Sequence, residues 1–534
     1  MGCPGLIGVL LLLGQVPPPA LGSDPARELE AAKRSIFSVE ATQLENLAER
    51  LANDGDRAAA DRIRERVRRP VGTDGPTRFM PLPELVAARP ADPNDQGWRA
   101  SQREIESRSA QELFKLAQRA AKTDPPSYSL ASQCLRAVIE RDPEHREARR
   151  LLGYVPHKGG WARPFAVEQL RNGLVSHPTF GWVPTDWVEH LDRGELPAPM
   201  PRGQKKARWL SAAEANNLRA GFSPPWFIYT EHFAIETNVP LAEAITFGRR
   251  LEAFHDLFTA LFADILGENL PLVRRFKSPN LIGEPAYKPH SVYYFGSQTE
   301  YIDHLTPTQG PEIATSLGYY DPPKAGSNSR RRAYFFRDPG GQLPVTATLY
   351  HEVSHQLLFE IAGQNAYMKN VGNYWVFEGL GTYFETVSPQ PDGSLEVGSL
   401  AGPRIEAAIR ALVGEQQIIP LADFVSLDQN AFNNKSQIYL HYQQAMALAV
   451  FLQQWHDGVY RDAFLDYVRD AYRGRIKHGA GRSLQSRLGQ PYATLDSQFL
   501  DFLKNGRDRL RGRQAAVTQP AAANNNAIRT VPRQ

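Results

Sequence analysis

The stretch His351-Glu352-Val353-Ser354-His355 decides how the rest of the sequence is interpreted. Pro344 suits the first turn of a helix, and neither proline nor glycine interrupts Val345–Ile361, so this segment is predicted to be helical. The two histidines are then four residues apart on one helix face, and the glutamate lies beside that face. Two imidazoles next to a carboxylate at this spacing are typical of a zinc site with its own general base.

A second stretch, Trp375-Val376-Phe377-Glu378-Gly379-Leu380-Gly381-Thr382-Tyr383-Phe384-Glu385, supplies a third candidate ligand. Glu378 follows His355 by 23 residues, which is enough for the first helix to end, a loop to turn and a second helix to return beside it. Its carboxylate would complete a two-histidine, one-glutamate zinc set that leaves a fourth position for water.

Two glycines in this second stretch favour the same interpretation. Gly379 and Gly381 would each cost roughly 1 kcal/mol relative to alanine inside a helix, and close approach of the two helices is the natural reason for them. In the alternative interpretation, Glu378 caps a surface helix and the glycines mark a turn.

Together the two stretches resemble the gluzincin metallopeptidases, and particularly a bacterial group of uncharacterised function described as peptidase-MA-like. The resemblance extends from about Pro225 to about Tyr472 and is specific only at the two motif helices. It implies Zn2+ ligation by the two motif histidines and Glu378, with Glu352 as general base. It also implies an α+β upper part that bears the first motif helix and a helical lower part.

Two positions after Glu378 are candidates for supporting the ligands. Thr382 and Glu385 follow it by four and seven residues, on its helix face, where they would hydrogen-bond the back of a ligating histidine and orient it. A helix that exposes a glutamate needs no such explanation, so a plain surface position for Glu385 stays open.

A tyrosine further along is a candidate catalytic residue. Gluzincins often place a downstream tyrosine where it stabilises the oxyanion of the tetrahedral intermediate, and Tyr442 best resembles that position, with Tyr439 as its rival. In the alternative interpretation, both tyrosines pack a helix over Ile438–Trp455 against the core.

The strand predicted at Ala333–Phe336, just ahead of the first motif helix, is a candidate open edge. On it an extended peptide substrate would add as an extra strand, as the resemblance suggests, although an ordinary sheet edge has the same sequence pattern. His290, His304 and His441 have no partner at ligand spacing, so they are predicted to be structural or exposed.

The composition is that of a soluble globular protein without an anionic partner. The chain has 534 residues, of which 42% are hydrophobic and 22% charged, and this length predicts two or three folded units. The formal net charge of +3 is close to balance and the Lys and Arg residues are scattered, so nucleic acid is not predicted as a partner.

The N-terminus carries a predicted export signal over residues 1–22. The apolar run Leu6–Leu13 is followed by prolines and then by Ala20-Leu21-Gly22, small residues of the kind that signal peptidase requires. No Lys or Arg precedes the run, so a short membrane anchor is the alternative. After cleavage, the mature chain has no predicted membrane span, and Cys134 is its sole cysteine, so no intramolecular disulfide can form.

Four further segments are predicted along the chain. Short strand patterns alternate with a long amphipathic helix over Leu241–Leu266, which predicts an α+β fold with a small mixed sheet. The segments are a helical segment and linker (23–100), a tetratricopeptide-like helical hairpin with a Trp-rich unit (101–222), the zinc-peptidase domain (223–510) and a disordered tail (511–534).

Three functions are consistent with these residues. The first is an exported zinc metallopeptidase that hydrolyses a peptide or protein by metal-activated water. The second is an extracytoplasmic scaffold whose N-terminal helices recruit a protein partner while the zinc domain is inactive or structural. The third is a zinc hydrolase of another amide, such as a cell-wall peptide. Glu352 favours an enzyme, because structural zinc sites usually close the fourth position with another ligand and need no base.

Overall fold

The computed structural model describes residues 25–67, 76–88, 97–199, 207–278, 281, 288–321, 331–363, 372–476 and 480–518. The predicted export signal lies outside these ranges. The described chain is an α+β protein with several small sheets, which confirms the predicted class. None of the helices within the described ranges combines the length and apolarity needed to span a bilayer.

The first part of the chain is mainly helical. Helices α3 and α4 pack against each other, and α1 packs on both α2 and α3. The stretch predicted as a linker is not structureless, because it contains two short strands, β1 and β2. The elements are α1 (Pro25–Asn53), α2 (Arg57–Val67), β1 (Thr77–Phe79), β2 (Leu85–Val86), α3 (Trp98–Ala120), α4 (Tyr128–Arg141) and α5 (Arg146–Leu151).

The Trp-rich segment forms small antiparallel sheets. Strands β2, β4 and β3 make one three-stranded sheet, while β5 pairs with β6 and β7 with β8. Trp187 and Trp209 meet edge to face at 5.4 Å between ring centroids, which joins these pieces. The elements are β3 (Val155–His157), β4 (Gly160–Ala162), α6 (Pro164–Arg171), β5 (Leu174–His177), β6 (Gly181–Pro184), α7 (Val188–Asp192), β7 (Glu195–Pro197), β8 (Trp209–Ser211) and α8 (Ala212–Asn217).

A five-stranded mixed sheet follows, covered by a long helix that buries an apolar face including Leu251, Phe254 and Phe258. The predicted helix over 241–266 is broken at Phe262 into two. The elements are β9 (Trp226–Tyr229), β10 (Phe233–Thr237), α9 (Leu241–Leu261), α10 (Ala263–Leu266), α11 (Pro271–Lys277), β11 (His290–Phe295), α12 (Gln298–Gln309), β12 (Tyr319–Asp321) and β13 (Arg332–Phe336).

The order of strands in this sheet corrects one prediction. The order is β12-β13-β11-β10-β9, in which β10, β11 and β13 run parallel and the two outer strands pair antiparallel to their neighbours. The strand predicted as an open edge, β13, is therefore interior. The three-residue strand β12 covers it, and so short a strand left no periodic pattern in the sequence.

The rest of the chain is largely helical. Helix α14 packs on both α13 and α18 in the same core as the sheet. The elements are α13 (Val345–Leu357), α14 (Trp375–Phe384), β14 (Ser388–Pro389), β15 (Leu395–Val397), α15 (Pro403–Ile409), α16 (Leu421–Phe424), α17 (Gln429–Phe432), α18 (Ile438–Gly458), α19 (Arg461–Tyr472), α20 (Ala480–Leu488) and α21 (Tyr492–Thr518), with π-helical turns at Leu358–Gly363 and Arg410–Gly414.

The final helix differs from the predicted disordered tail. Helix α21 continues to Thr518, so residues 511–518 are helical, while 519–534 lie outside the described residues. Leu495, Phe499 and Leu503 are buried and anchor the start of this helix. Once these contacts form its first turns, the following Arg, Gln and Ala residues extend the helix at little cost.

Candidate metal centre

The three predicted zinc ligands converge at the contact between α13 and α14. His351 Nε2 lies 3.4 Å from Glu378 Oε2, and His355 Nε2 lies 4.0 Å from the same oxygen. The ligand atoms of the three residues all lie within 4.8 Å of one another, and all three side chains are buried. The imidazole planes cross at 81°, so lone pairs from both rings can point to one position.

Gly379 and Gly381 of α14 each avoid a steric clash, and the two clashes are with different neighbours. A Cβ on Gly381 would lie 2.7 Å from Cε1 and Nε2 of His351, so this glycine makes room for the imidazole itself. A Cβ on Gly379 would lie 3.1 Å from the carbonyl oxygen of Ala445 on α18. The close approach predicted from the sequence is therefore present on two sides of α14.

His351 is held from behind by Glu385. Its Nδ1 lies 2.8 Å from Glu385 Oε1, and Arg404 pairs with the other oxygen of that carboxylate. Thr382 does not make the contact predicted for it, because its hydroxyl donates to the carbonyl oxygen of Glu378, at 2.8 Å, within its own helix. Of the two candidate supporting residues, only Glu385 reaches a histidine.

His355 is positioned by an aromatic ring instead of a carboxylate. Its imidazole stacks on Phe377, with 3.9 Å between ring centroids and 6° between planes. Its Nδ1 is buried and has no hydrogen-bond partner among the described residues. Stacking fixes the ring plane, and the opposite nitrogen, Nε2, faces Glu378.

The electrostatics of the cluster follow from its burial and from the two carboxylates that contact one imidazole. Burial would lower the pKa of His351, but hydrogen bonds to Glu378 and Glu385 raise it to about 10. Burial lowers the pKa of His355 to about 3. Although burial opposes it, contact with His351 holds the pKa of Glu378 below its usual value. Glu378 thus faces the Nε2 atoms of both imidazoles, and a divalent cation bound among the three side chains would take the place of the proton on His351.

Glu352 lies next to the three ligands and is oriented by the sheet. Its Oε2 accepts a hydrogen bond of 3.1 Å from the backbone N–H of Tyr320 on β12. Burial raises the pKa of Glu352 to about 7. A carboxylate whose pKa is near neutrality can take up a proton and release it again at physiological pH, as a general base must.

Four tyrosines were candidates or are neighbours of the cluster. Tyr442 lies beside the cluster, with its ring centroid 6.5 Å from that of His351, and burial together with the nearby Glu378 carboxylate raises its pKa. Tyr439 is 83% exposed, which removes it from the cluster. Tyr374 donates its hydroxyl to Glu378 Oε1 at 3.0 Å and was missed. The position of Tyr374 four residues before Glu378 could have predicted this contact, because residues at that spacing are neighbours on a helix. No such spacing links Tyr320 to Glu352, because the two residues lie far apart in the sequence.

A second group of potential ligands consists of His232 in the turn between β9 and β10 and of Glu252 and His255 on α9. The rings of its two histidines stack at 3.7 Å with only 19° between planes, and His232 Nδ1 lies 2.7 Å from Glu252. Lone pairs lie in the ring plane, so stacked rings cannot direct them at one ion. This group is better described as a buried ion pair with a stacked neutral histidine.

The histidines predicted to be structural lie outside the candidate metal centre. His290 Nδ1 lies 2.5 Å from Glu360, and His441 Nδ1 lies 2.6 Å from the carbonyl oxygen of Phe432. His304 packs among aromatic rings that include Tyr293.

A match to a known protein family includes the candidate metal centre. Residues 345–475 are similar to a family described as "Protein of unknown function (DUF1570)". A search of curated proteins finds no match. The matched stretch begins at α13 and ends just after α19, so it includes the three candidate ligands, Glu352 and Tyr442. Its description assigns no activity.

Proposed function

We propose that the protein is an exported, zinc-dependent metallopeptidase of the gluzincin type. The observation that carries the proposal is the convergence of His351 Nε2, His355 Nε2 and Glu378 Oε2 beside the carboxylate of Glu352. Three ligands leave one coordination position for water, which is the composition of catalytic zinc sites.

The residues present fit zinc. With bonds of about 2.0–2.2 Å, tetrahedral ligands lie roughly 3.3 Å apart, close to the 3.4 Å and 4.0 Å separations from Glu378 Oε2. The contact of Glu385 with His351 Nδ1 supplies the carboxylate that usually backs a ligating imidazole. In this proposal the sheet with α13 is the upper part of a gluzincin fold, and the helices from α14 onwards are the lower part.

The chain's own residues would carry the proton transfers. Zinc, when bound, acts as a Lewis acid that makes water nucleophilic and polarises the scissile carbonyl. Glu352 takes the proton of the attacking water on its carboxylate and passes it to the leaving amine. The hydroxyl of Tyr442, whose ring lies beside His351, would donate a hydrogen bond to the oxygen on which negative charge develops.

We expect an extended substrate to pair with β12, which forms the edge of the sheet, and not with the interior strand β13. Among the residues that the structure describes, β12 is the last strand on this side of the sheet, and the N–H of Tyr320 on this strand donates to Glu352. A peptide added along this edge would run beside Glu352, the proposed general base.

Metal content and turnover test the proposal together. We expect about one zinc per chain in the wild type and in Glu352→Gln, chelator-sensitive cleavage of a mixed peptide library by the wild type, and no cleavage by Glu352→Gln. Glu378→Ala should lose zinc. Full zinc occupancy in Glu378→Ala would remove Glu378 from the ligand set, and retained cleavage by Glu352→Gln would exclude the mechanism.

The peptide-library assay and one further assay separate the other two functions. A wild-type protein that binds zinc but cleaves no library peptide would favour either a scaffold or a hydrolase of a different amide. Release of new amino groups from purified cell-wall peptide by the wild type, and not by Glu352→Gln, would then identify the latter.

A further inference from the structure

The two oxygens of the Glu378 carboxylate have different partners. Oε2 faces both imidazoles, at 3.4 Å from His351 Nε2 and 4.0 Å from His355 Nε2. Oε1 instead accepts a hydrogen bond of 3.0 Å from the hydroxyl of Tyr374. Tyr374 is therefore placed where it can decide which oxygen of this carboxylate is available to a metal ion.

The proton of the Tyr374 hydroxyl points towards Glu378. A tyrosine hydroxyl has one hydrogen to donate, and its oxygen can also accept. The side-chain amide of Gln429 on α17 donates to this oxygen in a longer contact of 3.4 Å. An ionised carboxylate can only accept, so the hydroxyl donates to Oε1. This bond is charge-assisted, which makes it stronger than a hydrogen bond between neutral groups.

The ring of Tyr374 is held in place by its surroundings. Its backbone N–H donates to the carbonyl oxygen of Leu427 at 3.1 Å. The ring contacts Phe432, at 5.4 Å between ring centroids, and Phe377, at 5.8 Å. The whole residue is buried. These contacts hold the hydroxyl against Glu378 and keep water from competing for the same oxygen.

The number of carboxylate oxygens that ligate decides whether a position remains for water. A carboxylate can bind a metal ion through one oxygen or through both. Two imidazoles and one oxygen leave the fourth position of a tetrahedral zinc site open, whereas a second oxygen would fill it. A bond from Tyr374 that occupies Oε1 favours the first arrangement.

We propose that Tyr374 is a positioning residue that restricts Glu378 to one ligating oxygen, Oε2, and so keeps one position of the metal centre open. This role rests on the proposed function, because it concerns the same three ligands. It differs from the role proposed for Tyr442, which acts on the substrate, because Tyr374 acts through a ligand. Its effect can therefore be measured without any substrate.

The first test compares two tyrosine-to-phenylalanine variants of the full chain. Tyr374→Phe removes only the hydroxyl, and its ring keeps the contacts with Phe377 and Phe432. The matched control is Tyr460→Phe. Tyr460 is buried in the same hydrophobic core, and its hydroxyl donates to Gln498 Oε1 at 2.6 Å instead of to a candidate ligand.

Both variants and the wild type are loaded with cobalt(II) in place of zinc. The visible absorption bands of cobalt(II) are strong in a four-coordinate site and weaker in a five-coordinate one. The wild type and Tyr460→Phe should show the strong bands. Tyr374→Phe should show the weaker bands, because a buried oxygen that has lost its donor is left unsatisfied and turns to the metal as a second ligating atom.

Azide then tests whether the fourth position is open. This small anion should bind the cobalt-loaded wild type and Tyr460→Phe with equal affinity, as a saturable change in the visible bands. In Tyr374→Phe, azide has to displace the second oxygen of Glu378, so its affinity should fall at least about tenfold. Melting temperatures of the metal-free proteins check that both variants fold.

Four results would overturn the inference. These are five-coordinate bands in the wild type, unchanged bands in Tyr374→Phe, wild-type azide affinity in Tyr374→Phe, or equal changes in Tyr374→Phe and Tyr460→Phe, which would indicate a general loss of packing. If Tyr374→Phe does not fold, the bands and the azide affinity of the wild type decide.

Failure of this inference is distinguishable from failure of the proposed function. A wild type that binds cobalt and azide as expected but cleaves no peptide would remove the peptidase activity and leave the role of Tyr374 standing. Chelator-sensitive cleavage by a wild type whose bands and azide affinity are shared by Tyr374→Phe would remove the role of Tyr374 alone.

Discussion

At the residue scale, the candidate metal centre depends on the absence of a Cβ atom at Gly381, which leaves space for the imidazole of His351. In Gly381→Ala the new Cβ would meet His351 Nε2 at 2.7 Å, and the packing of α14 on α18 opposes a shift of α14 away from the imidazole. We expect zinc affinity to fall by at least about tenfold, although alanine favours helix by about 1 kcal/mol. Competition with a fluorescent chelator measures this affinity.

The matched control for this change is Gly414→Ala. There the nearest atom to a new Cβ is Arg410 Cγ, at an ordinary contact distance of 3.8 Å. Its zinc affinity should equal that of the wild type. Wild-type affinity in Gly381→Ala as well would contradict the steric role assigned to the glycine.

Substitutions of Glu385 and Thr382, both predicted to support a ligand, should have different effects on zinc affinity. Glu385→Ala removes the carboxylate that holds His351 Nδ1, and we expect zinc affinity to fall about 10–100-fold. Thr382→Val removes a hydroxyl that bonds only to the backbone of its own helix, so zinc affinity should not change. The two zinc titrations decide, and a larger loss in Thr382→Val would contradict this assignment.

At the scale of elements, α4 is capped by a residue distant in sequence. Its N-cap residue, Ser127, makes no side-chain cap bond, and Asp264 Oδ1 instead accepts from the N–H groups of Tyr128 and Ser129. Asp264→Ala should lower the free energy of unfolding by about 1–2 kcal/mol, as loss of a helix cap does. Urea denaturation measures this loss, and Asp264→Asn, which keeps an acceptor oxygen, should lose less.

The same carboxyl should make stability depend on pH. Burial raises the pKa of Asp264 from an ordinary value of 3.8 to about 6. The protonated form is therefore favoured in the folded state, and its stabilising contribution is present below pH 3.8 and lost as the pH rises through 6. The stability of the wild type relative to Asp264→Asn should fall by up to about 3 kcal/mol between pH 4 and pH 7. Equal pH dependence of the two proteins would show that this carboxyl titrates normally.

At the scale of the whole molecule, the N-terminal part is built into the proposed peptidase domain. Strand β1 pairs with β15, Arg163 Nε lies 2.9 Å from Glu231, and Arg136 pairs with Asp256 on α9. Phe79 also belongs to the same hydrophobic core as the metal-centre helices. These contacts are those of a permanent part of the fold, and none of the three contact sites lies at the candidate metal centre.

A shortened chain that begins at residue 207 tests this integration. Breaking a buried ion pair costs about 3–5 kcal/mol, so we expect the melting temperature to fall by roughly 10 °C or more. Differential scanning calorimetry of the shortened and full chains, with Arg163→Ala in the full chain as an intermediate case, measures the effect. Equal melting temperatures of the shortened and full chains would instead show that residues before 207 do not stabilise the rest of the fold.

Long periodic elements were predictable from the sequence, and short ones were not. The strands at 226–229 and 233–237 and the helices at α13, α14, α18 and α19 follow their patterns closely. Strand β12, the break at Phe262 and the strands within the predicted linker carry too few residues to set a period. Their conformation is determined by partners that lie far away in the chain.

The sequence by itself determined that His351, Glu352 and His355 lie close together, because they fall within about one turn of a single helix and local geometry places them there. It also indicated, through two costly glycines, that a second helix comes close. Only the tertiary structure decided that Glu385 supports His351 and Thr382 does not, that Tyr442 and not Tyr439 lies at the centre, and that β12 forms the edge beside it. These features depend on which face each helix turns towards its neighbours and on the order of the strands in the sheet. Both are set by the packing of segments that are distant in sequence, so no local sequence pattern predicts them.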